Sequence, residues 1–112
     1  MISGIIYSII DDGYFYIGST KRTILERIGE HISDSNSKSK NSKLYRYINK
    51  IRNGWEDILV ITLETIECET EDELRKKEEE YILEHIKDPF CLNVVQNTKQ
   101  RYFISQFYKK RK

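Results

Sequence analysis

Residues 4–31, GIIYSIIDDGYFYIGSTKRTILERIGEH, constrain what this chain can fold into more tightly than any other stretch. Ile5, Ile6, Tyr7, Ile9 and Ile10 form a β-branched and aromatic run that favours a pleated, half-buried strand. Asp11, Asp12 and Gly13 then supply turn chemistry, with Gly13 free to take positive φ. Tyr14 to Ile17 resume the strand and Gly18, Ser19 and Thr20 break it, so a hairpin is the simplest structure consistent with that order. Alternation puts Tyr7 and Ile9 on one face of the first strand, and Tyr14, Tyr16 and Gly18 on one face of the second. If the two faces coincide, Tyr7 and Tyr16 approach across the pair. Thr23 then caps a helix that carries Ile24, Leu25, Ile28 and Ile32 at helical spacing. On that helix Arg27 and His31 lie one turn apart, about 6 Å along the axis, on one side. Two phenols, a guanidinium and an imidazole converging in one short segment mark a site rather than a core.

The rest of the chain continues the alternation of strands and helices. Residues 33–42 are rich in serine, asparagine and lysine and read as a mobile loop. Residues 43–53 predict a second amphipathic helix, with Leu44, Tyr47, Ile48 and Ile51 on one stripe and Asn53-Gly54 ending it. Residues 58–66, ILVITLETI, form the strongest strand pattern, expected as a central strand pairing with the hairpin. Thr70 with Glu73 reads as a capping box, opening a third helix to about Lys87 with Leu74, Tyr81, Ile82 and Ile86 facing inward. Pro89 stops it. Residues 91–95 suit a short last strand or bend, residues 102–108 a final amphipathic turn or helix, and residues 109–112 a disordered end. The expected architecture is a small α+β sandwich, a short and mainly antiparallel sheet flanked by helices. It occupies residues 1–97, followed by a basic, partly disordered C-terminal extension over 98–112.

Composition sets the class and its exclusions. At 112 residues the chain suits one domain able to bury a modest core without staples. Cys68 and Cys91 have no metal-ligand spacing, so each is expected as a buried or idle thiol. No apolar run approaches the roughly 20 residues that cross a membrane. The N-terminus lacks a basic segment of the secretory kind, so an intracellular location, cytoplasm or nucleus, is expected. The net charge is only +1, but its distribution is uneven. Residues 21–52 hold nine basic residues against three acidic ones, and residues 99–112 hold six basic and no acidic residue. The compensating acids lie between Glu64 and Asp88. A near-neutral total thus hides two basic blocks, the first directly following the candidate site.

Taken in order, these residues resemble the GIY-YIG nuclease family. Ile5-Ile6-Tyr7 stands where the first triplet of that name falls and Tyr16-Ile17-Gly18 where the second does. Ile5 replaces the first glycine, and Gly4 sits one place early; the interval from Tyr7 to Tyr16 is slightly short, as a tight turn requires. Arg27 followed by His31 is similar to the family's second motif. Glu78 followed by Ile82, then Asn93 after Pro89, resemble its metal-binding glutamate and late asparagine. The resemblance spans residues 4–97.

It implies a metal-dependent endonuclease that hydrolyses DNA phosphodiester bonds in a single step. Tyr7 is then the general base, Tyr16 positions the water or a phosphate oxygen, and His31 accepts or relays the proton. Arg27 neutralises the phosphate with its forked, permanent charge. Glu78 holds the metal, Mg2+ or Mn2+, since magnesium often binds by one or two carboxylates and keeps several waters. A free phenol titrates at about 10, so the role of Tyr7 requires neighbouring positive charge and hydrogen bonding to depress its pKa. Lys21 and Arg22 are expected to contact DNA phosphates without reading sequence, and Asn93 to contact substrate or hold a backbone turn. Glu78 is preferred over Glu79 and Glu80 because helical spacing places it with Leu74, Tyr81 and Ile82. By residue type alone, the tyrosines are strand aromatics, Arg27 and His31 a surface pair and Glu78 part of a solvated face. The alternative function is therefore a catalytically inactive nucleic-acid-binding module of the same fold. Either acts on DNA, away from membranes, as a monomer or a transient dimer on the DNA.

Overall fold

A computed structural model describes residues 1–37, 40 and 42–94. The sequence expectations for residues 98–112 and for the end of the 91–95 segment lie outside them. Strands β1 (Ile2–Asp11) and β2 (Tyr14–Thr20) form the expected antiparallel hairpin. Asp12 and Gly13 both take positive φ, 49° and 84°, which matches the twist of the flanking strands in a two-residue turn. β2 does not break at Gly18. Ser19 and Thr20 stay paired with Ile6 and Ile5, because the partner strand continues to offer them backbone hydrogen bonds.

The third strand, β3 (Leu59–Cys68), pairs antiparallel with β1 and completes a sheet of order β2-β1-β3. The α+β class holds, but β1 is the central strand and β3 an edge. Leu59, Ile61 and Leu63 are consequently exposed, whereas Ile6 and Tyr7 of β1 are 0% exposed on opposite faces. The register slips between Ile6 and Tyr7, leaving Leu63 as an extra residue on β3.

Helix α1 (Ile24–Ser35) opens with Thr23 and Glu26 in a reciprocal capping box. Helix α2 (Lys43–Arg46) runs directly into a π-helical segment, Tyr47–Arg52, ended by Asn53 in the left-handed region. The expected single α-helix is thus wrong in pitch. The i→i+5 spacing turns Ile51 out to 69% exposure, while Arg52 reaches Asp11 with Nε 3.0 Å from Oδ1. Helix α3 (Glu71–His85) is capped by Thr70, whose side chain accepts from the Glu73 N–H. The Glu73 carboxylate instead accepts from the Glu69 N–H, so the box there is only half formed.

Two apolar clusters sandwich the sheet. On one face Tyr7 and Ile9 pack with Leu44, Tyr45, Tyr47, Ile48 and Leu92. On the other, Ile6 and Ile17 pack with Cys68 and Leu74 of α3. Gly4 matters here, since a Cβ would lie 2.5 Å from a Leu74 methyl and hold α3 off the sheet. Residues after α3 return along the free edge of β2, where Leu92 N–H donates to Phe15 O at 2.7 Å and Cys91 bridges Phe15 in parallel.

Candidate active site

The hairpin register makes the two tyrosine faces coincide. Tyr7 sits opposite Gly18 and Ile9 opposite Tyr16, so Tyr7 and Tyr16 are diagonal neighbours on the face covered by α1. Gly18 makes that possible: a Cβ there would meet Tyr7 Oη at 2.5 Å and Tyr16 Cε2 at 3.1 Å. The second glycine of the motif is thus the floor on which the Tyr7 ring lies.

Helix α1 brings Arg27 and His31 onto these rings. His31 is 1% exposed, with Nε2 2.7 Å from Tyr7 Oη. Its ring meets Tyr16 edge-on at 5.6 Å and stacks on Trp55 at 6.2 Å between centroids. Trp55 is held by Nε1 donating to Ser35 Oγ at 2.9 Å. Burial pushes His31 down to about 4, with Arg27 opposing a second positive charge. It is therefore neutral at pH 7. The Arg27 charge lies beside the Tyr7 hydroxyl and lowers its pKa, and Arg27 pairs with Glu30 at 3.7 Å.

The surroundings of Tyr7 oppose the lowered pKa that a general-base role requires. Burial pushes it up to about 12, and Arg27, although it lowers the value, does not offset the lost solvation. Burial likewise raises Tyr16. Both phenols are neutral in this site.

Glu78 approaches from α3 on the opposite side of the sheet, around the end of β2. Ser19, which faces α3, donates Oγ–H to Glu78 Oε1 at 2.7 Å. Burial raises the Glu78 carboxyl, against the hydrogen bonds from Ser19 and the charge of Arg27. A groove of about 580 Å³ joins the two sides and is lined by Tyr16, Arg27, His31, Tyr45 and Glu78, with Arg75 and Lys40 at its rim. Glu79 also faces this groove rather than rotating away.

The remaining expected residues sit as follows. Asn93 is 7% exposed and spends its amide on β2: Ile17 N–H donates to Oδ1 at 2.9 Å and Nδ2 donates to Ile17 O at 2.8 Å. It lines the groove while pinning the strand that carries Tyr16. Lys21 and Arg22 occupy the turn into α1, paired with Glu71 and Glu30, outside the groove. Sequence reasoning missed Ser19, Tyr45 and Trp55. Ser19 read as a strand breaker, Tyr45 sits one residue off the expected apolar stripe, and nothing local ties Trp55 to His31. Among the described residues no cluster of three His, Cys, Asp or Glu side chains is placed to hold a metal, and no helix is long and apolar enough to cross a membrane.

Comparison with known proteins matches one family, described as the GIY-YIG catalytic domain, over residues 3–90. No curated protein and no solved structure matches the chain. The paired tyrosines over Gly18, the arginine and histidine of α1 and the glutamate of α3 all lie within the matched span, and the chain belongs to the GIY-YIG family, with that family's nuclease fold.

Proposed function

We propose that this protein is a metal-dependent endonuclease that hydrolyses DNA phosphodiester bonds one strand at a time. The observation that carries the reading is the convergence of Tyr16, His31 and Arg27 with Glu78 on one groove, from both sides of the sheet, with the Tyr7 hydroxyl buried directly behind it against His31. Arg27 is permanently charged and pairs with a phosphate oxygen in the groove. Tyr7 Oη takes a proton from the attacking water as its own hydroxyl proton moves to His31 Nε2. This concerted exchange answers the high pKa of Tyr7, because no free phenolate forms. Tyr16 holds the water or a phosphate oxygen.

The donor set fits one hard cation. Glu78 is a carboxylate whose burial disfavours its charge, which a cation would offset, and since no group of three His, Cys, Asp or Glu among the described residues is placed to hold a metal, water and phosphate oxygens would complete the shell. Glu78 would hold Mg2+ or Mn2+, which when bound supplies Lewis-acid polarisation of the phosphate and the leaving oxygen. Lys40 and Arg75 at the groove rim favour a polyanion.

The test is nicking of supercoiled plasmid with Mg2+, with EDTA, and by the Glu78→Ala and Arg27→Ala variants. Wild type is expected to nick only with metal, and each variant to lose at least about 100-fold in rate with its thermal melt preserved. A folded Glu78→Ala variant that nicks at the wild-type rate refutes the site.

A further inference from the structure

His31 touches a second phenol. Its Nδ1 lies 2.9 Å from Tyr45 Oη, on the opposite side of the ring from the 2.7 Å contact with Tyr7. Tyr7 is 0% exposed, His31 1% and Tyr45 8%, and Tyr45 lines the groove. The three side chains form a buried file running from the Tyr7 hydroxyl to the groove wall at Tyr45.

Hydrogen-bond bookkeeping gives the file a direction. Arg27 sets a permanent positive charge beside the Tyr7 oxygen, which makes that hydroxyl the better donor. The Tyr7 hydroxyl proton is then free to be donated to His31 Nε2. A neutral imidazole that accepts at Nε2 carries its proton at Nδ1, and that proton is donated to Tyr45 Oη. The Tyr45 O–H is left to point into the groove.

We propose that Tyr45 is a positioning residue of this reaction, holding His31 in the Nδ1–H tautomer and passing the displaced proton out to groove water. The inference rests on the nuclease reading above. The attacking water gives a proton to Tyr7 Oη, Tyr7 gives its own to His31 Nε2, His31 gives its Nδ1 proton to Tyr45 Oη, and Tyr45 releases its own to water. Every member ends neutral, with His31 as the other tautomer. Burial supports a relay of this kind over charge storage, since it raises Tyr7 and Tyr45 and lowers His31. The charged groups acting on the file are Arg27, which opposes an imidazolium, Asp34, which favours one and also acts on Tyr45 together with Glu30, and Glu78, which raises Tyr7.

The test is Tyr45→Phe, which keeps the ring and removes the hydroxyl, read by the 15N spectrum of His31 and by plasmid nicking. Wild type is expected to show the Nδ1–H tautomer. In Tyr45→Phe the buried Nδ1–H has lost its acceptor, so the ring is expected to shift to Nε2–H. The kcat for nicking is expected to fall about 10- to 100-fold with KM unchanged. Tyr47→Phe is the control for loss of a buried hydroxyl on the same helical segment; Tyr47 bonds Asp11, not His31, and its kcat is expected to stay at wild type. An Nε2–H tautomer in wild type, an unchanged tautomer in Tyr45→Phe, or a Tyr45→Phe kcat equal to that of Tyr47→Phe overturns the relay and leaves the nuclease reading standing. A wild-type chain that nicks no DNA removes the nuclease reading and the relay with it, whatever tautomer the spectrum shows.

Discussion

At 1% exposure His31 has exchanged water for Tyr7, Tyr16, Tyr45 and Trp55, and its imidazolium has lost most of its solvation. The stability consequence has a definite sign. The folded pKa is lowered to about 4 from 6.5, so above pH 6.5 both folded and unfolded chains hold neutral histidine and the contribution is complete. As pH falls from 6.5 to about 4 the unfolded chain binds a proton that the folded one refuses. Stability is lost across that window, by up to about 3 kcal/mol. Glu78, whose carboxyl is raised, works in the opposite direction as pH rises, so the wild-type slope is a mixture. Urea unfolding of wild type and His31→Leu between pH 4 and 6.5 isolates the histidine: the variant is expected to lose the acid-side fall. Gly18 supplies a second residue-scale test. In Gly18→Ala the new methyl collides with Tyr7 Oη, so we expect a cost of about 1–3 kcal/mol and loss of cleavage from a displaced phenol. A variant that melts and nicks like wild type would show that the ring simply shifts aside.

Among the elements, helix α3 carries Glu78 on its buried side, and its anchor is Leu74, 4% exposed over Gly4. Leu74→Ala is expected to cost about 2 to 4 kcal/mol in urea unfolding and to weaken nicking, because Glu78 stands one helical turn further along the same helix. The π-helical segment makes the contrasting prediction. Helical spacing places Ile51 with Leu44 and Ile48, yet the wider pitch leaves it 69% exposed. Ile51→Ala is therefore expected to stay within about 0.5 kcal/mol of wild type; a loss of the Leu74→Ala size would return Ile51 to the core. The helix was legible from its apolar stripe and from Asn53-Gly54. Its pitch was not, because the Asp11–Arg52 pair that accompanies it joins residues distant in sequence.

On the scale of the whole molecule the described residues hold one Tyr7–Glu78 constellation, and on the proposed nuclease reading one such centre would cut one strand. Supercoiled plasmid is expected to accumulate as nicked circle before any linear form appears, a sequence that gel time courses read directly. Linear product formed without a nicked intermediate would instead require two centres acting together. Periodicity and residue type in the chain by itself determined the hairpin, the capped helix behind it and the one-turn spacing of Arg27 and His31, because these depend on neighbours within a few residues. The family resemblance likewise picked Tyr7, Tyr16 and Glu78 from the sequence. Only the tertiary structure decided the rest. It made β1 the central strand, turned Ser19 towards Glu78, spent Asn93 on the Ile17 backbone and set Tyr45 against His31. It also set the direction in which the Tyr7 pKa moves, because desolvation is summed over every element packed around a group, and no local run of residues contains that sum.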